Sequence, residues 1–428
     1  MAASMRHRTS VILQRCVSCA LLILLSACSD MPEHLAPTGF AVTAPETSVS
    51  FDQYVVDTRA QLEQALTLVY ERAGGAPFGD SYPLARTLEM RAPYEIREAP
   101  QCEPQAARTG YLLIHGLTDS PYLLSAVSRV LAGRSPCSVV RSVLLPGHGT
   151  TPGDSLVVHR NEWRQITRYG VDSFRDRVDE LYLVGYSAGA TLAVEYADRH
   201  RDDDLLAGLI LLSPAMALPD ASVRLAPYVR WFVDWLGVEQ ERDAAKYETL
   251  AINAGAEFYR LVTELDWPAM QALEIPVAMA ISGADTTVDV YAAEQFFCDK
   301  APQMRRQLIW FPAADGSHDT RLDCSGIIKQ TVVDAEQRTV SVSHVGVTMP
   351  ATDPHYGRDA GYRQCLHYRE SPERFEQCLN DDVDTVYGER SLLVDGLYEG
   401  RLLRRATFNP AFHTMMQQID CFLAGQCP

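Results

Sequence analysis

The sequence predicts a doubly wound α/β domain built on a mostly parallel sheet, and three observations carry that reading. From about residue 109, short continuous apolar runs alternate with helical patterns, the pattern of strands covered by helices on both faces. The run Leu181–Val184 leads into Gly185-Tyr186-Ser187-Ala188-Gly189 and then a helical stretch, so a tight turn joins a strand to a helix. Apolar residues make up 47% and charged residues 22% of the 428, which excludes long disorder, collagen-like repeats and coiled coil. Right-handed crossovers between successive strands then wind the sheet.

The first residues read as an address. Arg6, Arg8 and Arg15 precede an apolar run from Val17 to Leu25, followed by Leu25-Ser26-Ala27-Cys28. A basic start, a short apolar stretch and small residues before a cut mark a signal peptide over residues 1–27. The run is too short to cross a bilayer. Leu-Ser-Ala-Cys resembles the bacterial lipobox, which implies that Cys28 becomes the lipidated N-terminus. Ser29 leans towards the outer membrane by resemblance to Gram-negative sorting signals. Residues 28–50, rich in Pro, Thr, Ser and Ala, read as a tether.

Removing residues 1–27 removes three arginines and no acid, leaving 35 basic against 55 acidic residues, a net charge of −20. Such a chain repels phosphate backbones, so nucleic-acid binding is not expected. Without Cys16, Cys19 and Cys28, eight cysteines remain. An even number in an exported chain reads as disulfides, and near neighbours give 102–137, 298–324, 365–378 and 421–427. No CxxC pair occurs in the mature chain, so a zinc site has little support.

The elements follow in order. Residues 51–107 hold an N-terminal helix, with Tyr54, Leu62, Leu66 and Val69 at helical spacing, and leading strands. Residues 108–214 form the first part of the core, with strands at 110–114, 138–145, 181–184 and 209–212 and helices between them. Residues 215–270 break the rhythm with Trp231, Phe232, Trp235, Tyr247, Phe258, Tyr259 and Trp267, and read as a helical cap over a pocket. The core resumes over 271–349. Residues 350–408 form an appendage stapled by Cys365 and Cys378, and a closing helix lies within 409–428.

The chemistry centres on Ser187. Glycines on both sides allow the tight turn that lifts its hydroxyl above the sheet. The helix behind it favours developing negative charge. A serine nucleophile needs backbone N–H groups for an oxyanion. Ala188 supplies one, and Leu117, in the loop His115-Gly116-Leu117 after the strand 110–114, supplies the other. His115 reads as a shaper of that loop.

His-Gly-Leu-Thr-Asp-Ser-Pro, Leu-Pro-Gly-His-Gly and Gly-Tyr-Ser-Ala-Gly, in this order, resemble the α/β-hydrolase superfamily, in the branch of monoacylglycerol lipases, carboxylesterases and serine aminopeptidase-like proteins. The resemblance covers roughly residues 108–345. It implies eight strands, a lid after the sixth, a Ser-Asp-His triad, no metal and no cofactor. His148 then shapes a loop. The acid follows the strand 277–281 as Asp285, with Asp289 as the alternative.

The base has two candidates. His318 lies in a polar loop after the strand 308–311. His344 ends Arg338-Thr339-Val340-Ser341-Val342-Ser343, read as a strand that presents it directly. Ser343-His344, followed by Asp353-Pro354-His355-Tyr356-Gly357, resembles an exported bacterial branch in which the Ser-His pair is the triad position. His344 is the expected base; His355 and His413 are read as structural or exposed.

The expected function is hydrolysis of carboxylic esters, with a small-molecule acyl ester or lipid-like substrate, through the triad and an acyl-enzyme intermediate, by an exported protein tethered to the membrane through its N-terminal lipid. A peptidase or amidase on the same triad would need cap acids for a peptide amine, with Glu257 and Glu264 as candidates. A non-catalytic lipoprotein that keeps the fold is the third reading.

Overall fold

A computed structural model of the protein describes residues 31–426, apart from 41, 98–101, 104, 220, 315, 381–384 and 395–400. The lipobox and Cys28 lie outside the described residues. Among those described, no helix is long and apolar enough to cross a membrane.

The chain enters through Phe51–Ala73 (α1). The Ser50 side chain caps its start by accepting the Gln53 N–H, and Gly74 ends it in the left-handed conformation. Leu84–Arg91 (α2) follows. The core then alternates: Tyr94–Arg97 (β1), Thr109–Ile114 (β2), Ser125–Ala132 (α3), Ser138–Val143 (β3), Arg160–Asp172 (α4), Glu180–Tyr186 (β4), Ala188–Arg199 (α5) and Leu206–Leu212 (β5). The insertion carries Ala226–Val229 (α6), Trp235–Gly237 (β6), Leu250–Ala251 (β7) and Ile252–Leu265 (α7). Val277–Ser282 (β8), Val290–Lys300 (α8), Arg306–Phe311 (β9) and Ile327–Lys329 (β10) complete the core. Beyond it come Pro372–Asn380 (α9), Thr385–Gly388 (β11), Ser391–Val394 (α10), Leu402–Arg405 (β12) and Phe412–Leu423 (α11).

The eight-stranded sheet has the order β1-β3-β2-β4-β5-β8-β9-β10. β1 runs antiparallel to β3, and the other neighbours are parallel. The two-residue period of a strand sorts side chains between the faces. Leu112 and Ile114 join one buried cluster with Trp163, Leu192, Leu261 and Phe296 of the covering helices. Tyr111 and Leu113 join the other with Val127, Leu131, Met415 and Ile419. Both faces are therefore sealed, as a parallel sheet requires.

Three expectations need correction. Residues 51–107 contribute a single described strand, β1, rather than several. The insertion at 215–270 is only partly helical: β6 and β7 pair as a small antiparallel hairpin before α7. Arg338–Ser343 is not a sheet strand, because the edge it would need is occupied by β10. The segment turns instead to the appendage. The Val340 N–H donates to Tyr387 O at 2.8 Å, and the Ser343 hydroxyl donates to Ala406 O at 2.5 Å. The Ser282 hydroxyl, at the end of β8, donates to Val342 O at 2.6 Å.

Cys102–Cys137, Cys298–Cys324 and Cys365–Cys378 are bonded. Cys421 is also disulfide-bonded; Cys427, its expected partner, lies outside the described residues. The appendage is tied to the insertion and to the N-terminal segment by a buried polar network. His355 Nε2 meets Asp243 Oδ1 at 2.8 Å, and its Nδ1 meets the Tyr82 hydroxyl at 2.6 Å. The Tyr356 hydroxyl donates to Asp243 Oδ2 at 2.8 Å. His413 is exposed.

Candidate active site

Ser187 sits between β4 and α5 with φ 53° and ψ −116°, a conformation that costs a non-glycine residue of order 1–3 kcal/mol and persists only where the surroundings impose it. Here they do. Its N–H donates to Leu212 O at 3.0 Å. A Cβ on Gly185 would run into the backbone of Ala190, and one on Gly189 would run into Ile114 O. The two glycines therefore let α5 press against β2 and β4. A Cβ on Gly116 would stand 3.0 Å from Ser187 Cβ, so the loop after β2 lies directly beside the serine.

That loop is shaped by two neutral imidazoles. His115 Nε2 accepts the Leu145 N–H at 3.0 Å, so its Nδ1 carries the proton and donates to Gly116 O at 2.9 Å. His148 Nε2 accepts the Thr118 N–H at 3.0 Å, and its Nδ1 donates to Pro146 O at 3.0 Å. Burial pushes His115 well below the ordinary histidine range and His148 down to about 4. The partners on either side of Leu117 are thus taken, while neither the Leu117 nor the Ala188 N–H donates a hydrogen bond among the described residues.

His344 and Asp285 come together. His344 Nδ1 meets Asp285 Oδ2 at 2.5 Å, with both side chains buried. Asp285 Oδ1 accepts the Thr287 N–H at 2.7 Å, which fixes the carboxylate plane. The His344 ring packs 5.1 Å from the ring of Tyr186, the residue before Ser187. Asp289 is employed elsewhere: it caps α8, accepting from the Tyr291 and Ala292 N–H groups. His318 is held through its backbone. Its carbonyl accepts the Trp310 indole N–H at 3.0 Å and lies where a Cβ on Gly283 would fall.

Three residues of this site, Glu389, Arg405 and Lys246, carry no signal in the sequence. Glu389, fully buried, forms a two-point pair with Arg405 at 2.8 and 3.0 Å. Its Oε2 also accepts the His344 N–H at 3.4 Å, and Arg405 Nη2 donates to the Thr287 hydroxyl at 2.6 Å. The appendage thereby grips both the acid loop and the histidine. On the opposite side, Lys246 of the insertion stands 3.2 Å from the buried Asp119 carboxylate. Burial raises the Asp119 carboxyl, and the Lys246 ammonium offsets part of that rise. The next residue, Tyr247, donates its N–H to Thr118 O at 2.8 Å, so the insertion is clamped onto the loop beside Ser187. Asp119 lies within His-Gly-Leu-Thr-Asp-Ser-Pro, but nothing local reveals its partner, Lys246, 127 residues away.

The cap acids are spent on cations. Glu257 is bound by Arg160 at 2.7 Å and Arg230 at 2.5 Å. Glu264 is bound by Arg160 at 2.5 Å and Arg164 at 2.8 Å.

The chain is similar to known hydrolases. A thermostable monoacylglycerol lipase of Bacillus sp. (strain H-257) is 27% identical over 112 residues, which are 26% of this chain and 42% of that protein. The match thus spans less than half of the relative. A soluble variant of the monoglyceride lipase of Saccharomyces cerevisiae aligns with 52% of this chain and 82% of its own at 14% identity and a TM-score of 0.41. The monoacylglycerol lipase of Paleococcus ferrophilus aligns with 66% of this chain and 97% of its own at 16% identity and a TM-score of 0.41. Residues 111–376 match the profile of the alpha/beta hydrolase family, and the chain belongs to that family.

Proposed function

We propose that the protein hydrolyses carboxylic esters through Ser187, His344 and Asp285 and an acyl-enzyme intermediate. The observation that carries this reading is the buried His344–Asp285 pair, 2.5 Å apart and packed on Tyr186, next to a serine held at φ 53°.

His344 donates its Nδ1–H to the Asp285 carboxylate, which leaves the Nε2 lone pair as the base. Nε2 takes the Ser187 proton as Oγ bonds to the ester carbonyl carbon. The carbonyl oxygen becomes an anion, held by the Leu117 and Ala188 N–H groups at the start of α5. The tetrahedral species collapses by breaking the bond to the alcohol oxygen, which leaves with the proton now on His344. Water repeats the sequence on the acyl-enzyme, giving a carboxylic acid and free Ser187. Asp285 remains a carboxylate throughout.

The lipase relative supports a lipid-like ester as substrate. The amidase reading loses its support, because Glu257 and Glu264 are committed to arginines and unavailable to a substrate amine. A purely binding protein would have no use for a strained serine backbone. Leu25-Ser26-Ala27-Cys28 supports an acylated Cys28 that tethers the enzyme to the cell envelope, at the outer membrane on its periplasmic side.

A fluorophosphonate probe tests the chemistry. The wild type is expected to label and to cleave acyl esters of graded chain length in preference to aminoacyl amides, and Ser187→Ala to do neither. Turnover by folded Ser187→Ala at the wild-type rate would sink the mechanism. Cell fractionation of Cys28→Ser tests the tether, and an unchanged, correctly processed membrane pool would place the anchor elsewhere.

A further inference from the structure

Residues 221–238 read Ala-Ser-Val-Arg-Leu-Ala-Pro-Tyr-Val-Arg-Trp-Phe-Val-Asp-Trp-Leu-Gly-Val. This stretch has one acid, Asp234, in a chain with 55. Eight of the thirteen large apolar side chains exposed among the described residues fall between 225 and 238. Tyr228 is 73% exposed, Trp231 75%, Phe232 77% and Leu236 70%. A contiguous apolar patch of this kind on a water-facing surface marks an interaction site.

The patch is held rigidly from beneath. Arg230 Nη1 donates to Glu257 Oε1 at 2.5 Å and to Asn253 Oδ1 at 3.1 Å. Its guanidinium lies 4.9 Å from the centre of the Trp231 ring. The Ile252 N–H donates to Asp234 O at 2.8 Å, and Trp235 pairs with Ala251 in the hairpin. The rings are displayed rather than folded inward.

The N-terminal segment indicates what covers them. His34 and Val238 line one cavity of about 410 Å³. Residues 34–38 are pinned there. The Thr151 hydroxyl donates to His34 O at 3.2 Å, Arg72 donates to Ala36 O at 2.7 Å, and the Thr38 hydroxyl donates to Asp154 at 2.6 Å. Cys28 precedes His34 by six residues, a reach of about 20 Å at full extension. An acyl chain on Cys28 would therefore keep the face that carries His34 and Val238 within about 20 Å of the bilayer.

We propose that residues 225–238 dock into that same lipid surface, Trp231 and Phe232 entering its headgroup boundary, where amphipathic aromatic rings are favoured. The proposal rests on the tether reading above. Lipid anchor and apolar tip then act as two signals on one membrane. They set the insertion that carries Lys246 at the surface from which apolar esters arrive.

The test uses the full-length chain extracted from membranes and reconstituted in phosphatidylcholine vesicles with brominated acyl chains. Tryptophan emission is expected to be quenched, and Trp231→Phe to lose a large part of that quenching, because Trp163, Trp267 and Trp310 are buried and Trp235 is only half-buried beside Trp231; adding Trp235→Phe should remove the rest. Ser187→Ala should quench like the wild type, so failure of the catalytic reading leaves this result intact. The mass of the N-terminal peptide reports acylation of Cys28 separately from docking. A paired Trp231→Ser, Phe232→Ser variant should cleave a short soluble ester normally and a vesicle-embedded long-chain ester at least about tenfold more slowly. Unquenched emission in the acylated protein, or equal rates on the embedded ester, would overturn the proposal. So would a dimer in sedimentation that this variant abolishes, since the patch would then belong to a second copy.

Discussion

Replacing Arg405 with methionine removes a cation from a carboxylate that has no solvent to turn to. Glu389 is fully buried and takes two hydrogen bonds from Arg405, at 2.8 and 3.0 Å. Breaking a buried pair on one side costs about 3–5 kcal/mol, because the remaining charge is left uncompensated. Glu389 keeps the Arg390 N–H at 2.8 Å and the His344 N–H at 3.4 Å, so the low end, about 3 kcal/mol, is expected. With a urea m-value of about 3 kcal/mol/M, the unfolding midpoint falls by about 1 M. Loosening the acid loop and the His344 backbone should lower kcat about tenfold and leave KM nearly unchanged. Adding Glu389→Gln removes the stranded charge, so the double variant should recover at least about 1 kcal/mol relative to additivity. A loss below about 1 kcal/mol for Arg405→Met, the range of a screened surface pair, or simple additivity in the double variant would refute this reasoning.

Two further outcomes are expected. His148 is held neutral down to about 4, against 6.5 unfolded; its contribution is therefore full above pH 6.5 and is lost as pH falls from 6.5 towards 4, by about 3 kcal/mol. Urea midpoints measured across that window should drop for the wild type and less steeply for His148→Gln. Gly189→Ala drives a methyl into Ile114 O, which displaces α5 from β2; ester hydrolysis should fall about a hundredfold or more, and wild-type kinetics would contradict the packing described.

The strands buried on both faces are legible because each is a continuous apolar run between turn residues: Thr109–Ile114, Leu206–Leu212 and Val277–Ser282 stand out this way. The two sheet edges are not. β1 alternates Tyr, Glu, Ile and Arg over four residues, and β10 has only Ile, Ile and Lys, too short to show a period. Thr339–Ser343 has the composition of a strand, yet its partners are β11, the Ser282 side chain and Ala406. Composition reports that a segment is extended, not which neighbour accepts its hydrogen bonds. The elbow around Ser187 is local and its glycines give it away. Glu389 and Arg405 act on Asp285 and His344 from far along the chain, and only the folded appendage brings them there. The insertion's aromatic residues divide in a way that helical spacing does not reveal: Tyr247, Phe258 and Trp267 are buried, while Trp231 and Phe232 face outward.

The central claim is that Ser187 is activated by His344 held by Asp285. It is tested most directly by single-turnover acylation rates, with fluorophosphonate or a short acyl ester, of His344→Ala and His318→Ala, each checked for folding. The account predicts that His344→Ala loses rate on the scale of Ser187→Ala, several orders of magnitude, while His318→Ala retains most of it. An inactive His318→Ala beside an active His344→Ala would contradict it and give the base to the loop after β9.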